Sequence, residues 1–160
     1  MDIKISVILT TARFGGFDVL QNSMAHQNFD GTFETVIVDE FYEERRDLAK
    51  RMSFDNFIHL PPKRKCTIYD DSLGMNTAFA AASGDLVVVL ADYTWAPPGY
   101  LQAHWDFHKA NPGWSMSCYL DRYPLPPMKA EPYSIERDWW SVFQEDFSPS
   151  WFDNQEPVYQ

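Results

Sequence analysis

The chain divides into short apolar runs separated by stretches with helical spacing. Residues 3–10 (Ile-Lys-Ile-Ser-Val-Ile-Leu-Thr) are apolar and β-branched, bounded by Thr10-Thr11 and then Gly15-Gly16, which predicts a buried strand. Phe17, Leu20, Met24 and Ala25 follow helical spacing over 17–28, with Asn28 and Gly31 as stop signals. Phe33-Glu34-Thr35-Val36-Ile37-Val38 predicts a second strand ending on Asp39-Glu40, followed by a charged helix over 43–51 and a short strand over 55–59. Pro61-Pro62 and the triplet Lys63-Arg64-Lys65 make a loop. Leu73, Ala78, Phe79 and Ala82 predict a helix over 71–83, closed by Ser83-Gly84-Asp85. Leu86-Val87-Val88-Val89-Leu90 is an unbroken apolar run that suits a strand covered on both faces. Pro97-Pro98 opens another helix ending near Asn111-Pro112-Gly113, and residues 114–119 are expected to add one more strand.

Strands alternating with helices predict an α/β fold, a three-layer arrangement around a mostly parallel sheet. Ligands of such sheets sit at the carboxyl ends of the strands. That rule selects three polar strand ends: Thr10-Thr11, Asp39-Glu40 and Ala91-Asp92. From Tyr119 the periodicity stops. Residues 119–160 hold six prolines, three of the six tryptophans and an excess of acids. Such an aromatic segment is unlike a disordered tail. The expected division is therefore a 1–118 domain and a 119–160 segment that packs on it or on a missing part.

Composition narrows the partners. A chain of 160 residues, 45% hydrophobic, builds one core. It holds no apolar stretch of membrane-spanning length, and its N-terminus enters a strand pattern at once, so a soluble, cytoplasmic protein without a signal peptide is expected. Two cysteines, Cys66 and Cys118, read as reduced thiols. A net charge of −10 argues against nucleic acid as a partner, because phosphate backbones are bound by basic surfaces. The charge of a bound diphosphate must then be met locally, by a metal, a helix N-terminus or a basic cluster. Lys63-Arg64-Lys65 is such a cluster, or else a solvated loop face. His104 and His108 stand four apart on a predicted helix but lack a third ligand at metal-site spacing, so they read as a packed or surface pair. Gly15-Gly16 has no following Lys-Ser/Thr and no Gly-x-Gly-x-x-Gly, which sets aside P-loop and dinucleotide sites.

Four segments carry a resemblance to family 2 glycosyltransferases. Ile5-Ser6-Val7-Ile8-Leu9-Thr10-Thr11 resembles their opening strand, and Val36-Ile37-Val38-Asp39-Glu40 their second strand with its terminal acids. Gly74-Met75-Asn76-Thr77-Ala78-Phe79-Ala80-Ala81-Ala82-Ser83-Gly84-Asp85 is similar to their small-residue helix followed by Gly-Asp/Glu. Leu86 to Leu90 with Ala91-Asp92-Tyr93-Thr94-Trp95-Ala96-Pro97-Pro98 occupies the place of their metal-binding aspartates and following proline. The match spans about residues 3–112, in order. It implies a GT-A fold, the Rossmann-like fold of nucleotide-diphospho-sugar transferases, with an incomplete C-terminal half.

The resemblance implies a sugar transfer from a UDP- or GDP-type nucleotide sugar to a hydroxyl acceptor, carbohydrate or other, in an inverting reaction. It places Asp39 or Glu40 on the base, with Thr10 and Thr11 lining the same pocket. Arg64 and Lys65 would meet the diphosphate, Asn76 would shape the pocket, and Ala91 and Asp92 would form its metal corner. There the departing diphosphate is commonly neutralised by a divalent cation, Mn or Mg. Ala91, Asp92 and Tyr93 stand against three acidic family positions, so Asp92 is the one carboxylate retained for metal. An inverting transferase also needs a general base for the acceptor hydroxyl. Asp146, in Phe143-Gln144-Glu145-Asp146-Phe147, is the candidate within the chain. Trp139-Trp140 and Trp151 would either stack on sugar rings or pack in a core or interface. Three functions stay open: an active transferase, a nucleotide-binding module without turnover, or a fragment whose acceptor half, or oligomeric partner, is supplied elsewhere.

Overall fold

The computed structural model describes residues 2–12, 17–50, 56–63, 71–92 and 94–118. Its elements are β1 (Ile5–Thr11), α1 (Phe17–Ala25), β2 (Phe33–Asp39), α2 (Tyr42–Ala49), β3 (Phe57–Leu60), α3 (Asp71–Ala81), β4 (Leu86–Val89) and α4 (Tyr100–Ala110). All strands run parallel in the order β3-β2-β1-β4. β1 therefore lies inside the sheet, which explains its largely apolar make-up: all seven of its residues are buried.

The two faces of β1 build two cores. Ile5, Val7 and Leu9 join Ile37, Val88 and Leu90 under Leu20 and Met24 of α1 and Leu101 of α4. On the other face Ile8 packs with Val36, Val38 and Ala78 of α3. Helices thus cover both faces of the sheet, giving the expected three-layer α/β architecture. α3 and the turn that follows it seat closely on the sheet. A Cβ on Gly74 would lie 2.8 Å from Thr10 Cγ2, and one on Gly84 would lie 2.6 Å from the Ser6 backbone nitrogen.

That second approach belongs to a buried clamp at the amino end of the sheet. Glu34 Oε1 accepts hydrogen bonds from Ser6 Oγ, the Ser83 backbone N–H (2.6 Å) and Ser83 Oγ (3.0 Å). Ser6 Oγ in turn accepts the Gly84 N–H at 2.8 Å. The carboxylate is buried, and these donors satisfy it where water cannot.

Three sequence expectations change. The run 86–90 was expected to be a strand covered on both faces. Instead β4 is the outer strand among the described residues, with Val89 50% exposed. Residues 114–118 form no strand. Gly113 takes a left-handed turn (φ 84°), and the chain then returns along α4, where Cys118 Sγ lies 3.2 Å from His104 Nε2. α4 begins at Tyr100, after Gly99 at φ 85°, rather than at Pro97-Pro98. Among the described residues no helix is long and apolar enough to cross a membrane.

Candidate functional site

In the order β3-β2-β1-β4 the chain winds outward from β1 to β3, and α3 then crosses the opposite face to place β4 on the other side of β1. The winding reverses between β1 and β4. In an open parallel sheet such a reversal of winding is the usual ligand position. Thr11 ends β1 at this point and ties the neighbouring ends together. Its Oγ1–H donates to Asp92 Oδ2 at 3.2 Å, and its carbonyl accepts the Glu40 N–H at 3.0 Å. Thr10, Thr11, Glu40 and Asp92, expected from sequence to share a pocket, thus converge on one end of the sheet. Ala91 is exposed, while Asp92 and Glu40 are partly buried.

Asp39 stands apart from this group. It is fully buried, and its Oδ1 accepts the Arg45 guanidinium at 2.6 Å and the Phe41 N–H at 2.8 Å. Its Oδ2 lies 2.9 Å from His59 Nε2. Arg45 is itself fully buried and stacks on Phe41 at 5.4 Å. The Asp39 carboxylate therefore clamps β2, α2 and β3 together, which leaves Glu40 as the strand-end carboxylate not held inside the protein. Sequence reading missed this clamp. A histidine within the apolar run Phe57-Ile58-His59-Leu60 was its one visible sign.

The loop after Asp92 is held from α1. Ser23 Oγ donates to Ala96 O (3.2 Å) and accepts the Ala96 N–H (2.8 Å). Gln27 Nε2 donates to Ala96 O and Pro97 O, both at 3.0 Å, while its Oε1 accepts the Leu101 N–H at 3.1 Å. These bonds fix residues 96–101 and so limit how Asp92 can move. α3 runs antiparallel to the strands, with Gly74 against Thr10 at the site end and Gly84 against Ser6 at the far end. Its positive N-terminal end therefore faces the strand ends, suiting an anion. Asn76 is exposed one turn further along.

At the Ala91-Asp92 corner a divalent cation would find one carboxylate. Ala91 brings none, and among the described residues no three His, Cys, Asp or Glu side chains gather. Mg²⁺ and its like are often bound through one or two carboxylates plus substrate phosphates, so Asp92 fits a cation shared with a diphosphate and does not form a protein cage. Arg64, Lys65, Tyr93, Asp146, Cys66 and Gly15-Gly16 lie outside the described residues. His104 and His108 do not converge. His104 is buried beside Tyr100 and Cys118, and the His108 ring lies 5.7 Å from that of Trp105. Burial pushes the His104 pKa down and those of Tyr100 and Cys118 up, so all three are held neutral.

No family model matches the chain, and no curated protein sequence does. Solved structures do match. The crystal structure of S. aureus TarS 1-349 aligns with a TM-score of 0.51 at 21% identity, over 68% of this chain and 33% of that one. The same protein in complex with UDP-GlcNAc aligns with a TM-score of 0.50 at 20% identity, over 68% and 32%. The fold is a three-layer α/β fold of the GT-A type. The chain spans about a third of the length of the structures it matches.

Proposed function

We propose that this chain is the nucleotide-sugar-binding part of a glycosyltransferase of the family 2 kind, which transfers a sugar from a UDP- or GDP-type donor to a hydroxyl acceptor with inversion. The observation that carries this reading is the Thr11 link, which joins Glu40 and Asp92 at the reversal between β1 and β4. Its support from outside the chain is the shared fold with TarS, which has been crystallised with UDP-GlcNAc.

In this reading Glu40 and the Thr10-Thr11 backbone receive the N–H and hydroxyl groups of base and ribose. Asp92 holds a divalent cation, Mn or Mg, together with the diphosphate. When bound, that cation neutralises the charge that develops on the departing diphosphate. The α3 N-terminus, with Arg64 and Lys65, adds positive potential on the same side. Asp146 takes the acceptor proton as general base.

One observation favours a second reading, a nucleotide-binding module without turnover. Ala91 supplies no carboxylate beside Asp92. Calorimetric titration of UDP, GDP and their sugars, with and without manganese, tests the site. Metal-dependent binding that Asp92→Ala abolishes supports it, and silence toward every nucleotide refutes both readings. Sugar release from a donor without acceptor then separates a transferase from a silent module.

A further inference from the structure

Asp39 and Glu40 are adjacent, yet one is fully buried and the other stands partly buried at the strand end. The backbone of Glu40 is held on both sides. Its N–H donates to Thr11 O of β1 at 3.0 Å. The next N–H, that of Phe41, donates to Asp39 Oδ1 at 2.8 Å. An aspartate that bonds the backbone two residues on closes a turn, here around Glu40. The Phe41 carbonyl in turn accepts the Arg45 N–H at 3.0 Å, where α2 begins. Both planar peptides flanking Glu40 are therefore fixed, and with them the direction of its Cα–Cβ bond.

This turn is only as rigid as the carboxylate that closes it. The last torsion of an aspartate is broad, so a carboxylate held at one oxygen can swivel. Oδ1 is shared between the Phe41 N–H and the Arg45 guanidinium, which lies at 2.6 Å on a long side chain able to follow it. His59 removes that freedom. Its Nε2 lies 2.9 Å from Oδ2, and because a carboxylate oxygen only accepts, the Nε2–H donates. The imidazole is itself confined. Its side chain is 7% exposed, the Phe57 ring stacks on it at 6.2 Å, and the Tyr42 ring stands 4.7 Å away. With partners on both oxygens the carboxylate plane keeps one orientation, and Oδ1 stays on the Phe41 N–H.

We propose that His59 is a positioning residue for nucleotide binding: through Asp39 and the turn 39–41 it aims the Glu40 side chain at the ligand. The inference rests on the nucleotide-sugar reading, in which Glu40 receives the N–H and hydroxyl groups of base and ribose. His59 stands on β3, across β2 from β1, and acts without touching the ligand. A backbone already fixed does not have to be ordered when the nucleotide arrives, so less of the binding free energy is lost.

Calorimetric titration of UDP with manganese into the full chain tests this through a double-mutant cycle. Glu40→Ala should weaken UDP binding, and His59→Leu, which removes the donor, should weaken it roughly tenfold. In the Glu40→Ala background His59→Leu should add almost nothing, because its effect passes through a carboxylate already removed. His59→Gln, whose amide nitrogen reaches toward the same oxygen, should recover most of the loss. A merely structural role lowers the melting temperature and leaves the affinity of the folded chain alone, or lowers affinity equally in both backgrounds. Either result overturns the proposal while Glu40→Ala still weakens binding. UDP binding that Glu40→Ala leaves unchanged, or no binding at all, instead overturns the nucleotide reading of Glu40 and the proposal with it. Amide exchange without nucleotide gives a check that needs no folded leucine variant. The Phe41 amide of the unaltered chain should exchange on the order of tenfold or more slower than an open amide, and exchange at the open rate overturns the proposal.

Discussion

Gly84 offers the sharpest test of how α3 and β4 are joined. An alanine there would place its Cβ 2.6 Å from Ser6 N, 2.7 Å from Ile5 C and 2.9 Å from Ser6 Oγ. The first two are backbone atoms of β1, a fully buried interior strand that cannot swing aside as a side-chain tip can. Separation of the two segments would stretch the bonds of the Ser83 and Gly84 N–H groups to Ser6 Oγ and that of the Ser83 N–H to Glu34, which is buried. Overpacking of this kind costs ~1–3 kcal/mol, and each weakened hydrogen bond adds ~0.5–1.5 kcal/mol. The smaller backbone entropy of unfolded alanine offsets ~0.4–1 kcal/mol. The net expectation is a loss of about 2–5 kcal/mol, large against a total stability of ~5–15 kcal/mol. Urea unfolding of the full chain should show a midpoint lowered by about 1–2 M at unchanged slope, for slopes of ~1–3 kcal/mol per M. Gly99→Ala is the comparison. With nothing within 4 Å and φ at 85°, it should cost only the left-handed penalty of ~1–2 kcal/mol. A midpoint for Gly84→Ala equal to or above that of the unaltered protein would refute the close approach.

Three further outcomes follow from the same contacts. Asp39→Ala strands a buried guanidinium and should cost ~3–5 kcal/mol, with much of it recovered by adding Arg45→Met; thermal melts without such recovery would show that the ion pair is not the source of the loss. His104 is held neutral by burial, so its folded pKa lies below the unfolded value near 6.5. The unfolded chain then binds its proton first, and stability should fall as pH drops through that window, a slope that His104→Gln reduces and that denaturant midpoints between pH 7.5 and 5 would reveal. Removing manganese should weaken UDP-sugar binding in the unaltered protein and leave Asp92→Ala indifferent, as read by calorimetry.

Much of the fold was legible because its strands are nearly pure in type. Ile5–Thr11 and Phe33–Asp39 lie inside the sheet, so they read as largely apolar, β-branched runs, and their polar ends marked the candidate site through the parallel-sheet rule alone. The position of β4 was not legible, since an apolar run reports that a strand is covered and not what covers it. Nor was the division of labour between Asp39 and Glu40. Adjacent carboxylates look alike in sequence. Their difference rests on Arg45 and His59, which only the packing of α2 and β3 brings to Asp39. Glu34 hid for the same reason, because its partners Ser6 and Ser83 are 28 and 49 residues away.

Gly74 in α3 and Gly84, three residues past its end, have a consequence for how this end of the sheet would respond to a guest. Gly74 rests on Thr10 at one end of the sheet and Gly84, in the turn after α3, on the Ser6 backbone at the other, so helix and turn together are seated like a beam on two bearings. It has no clearance to tilt inward and would lose both seats by lifting. The distance between its N-terminal end and Thr10 is thus set by two absent methyl groups. In the proposed reading, accommodation of ligands of different size would therefore fall to the rotamers of Glu40 and Asp92, while the helix keeps its place.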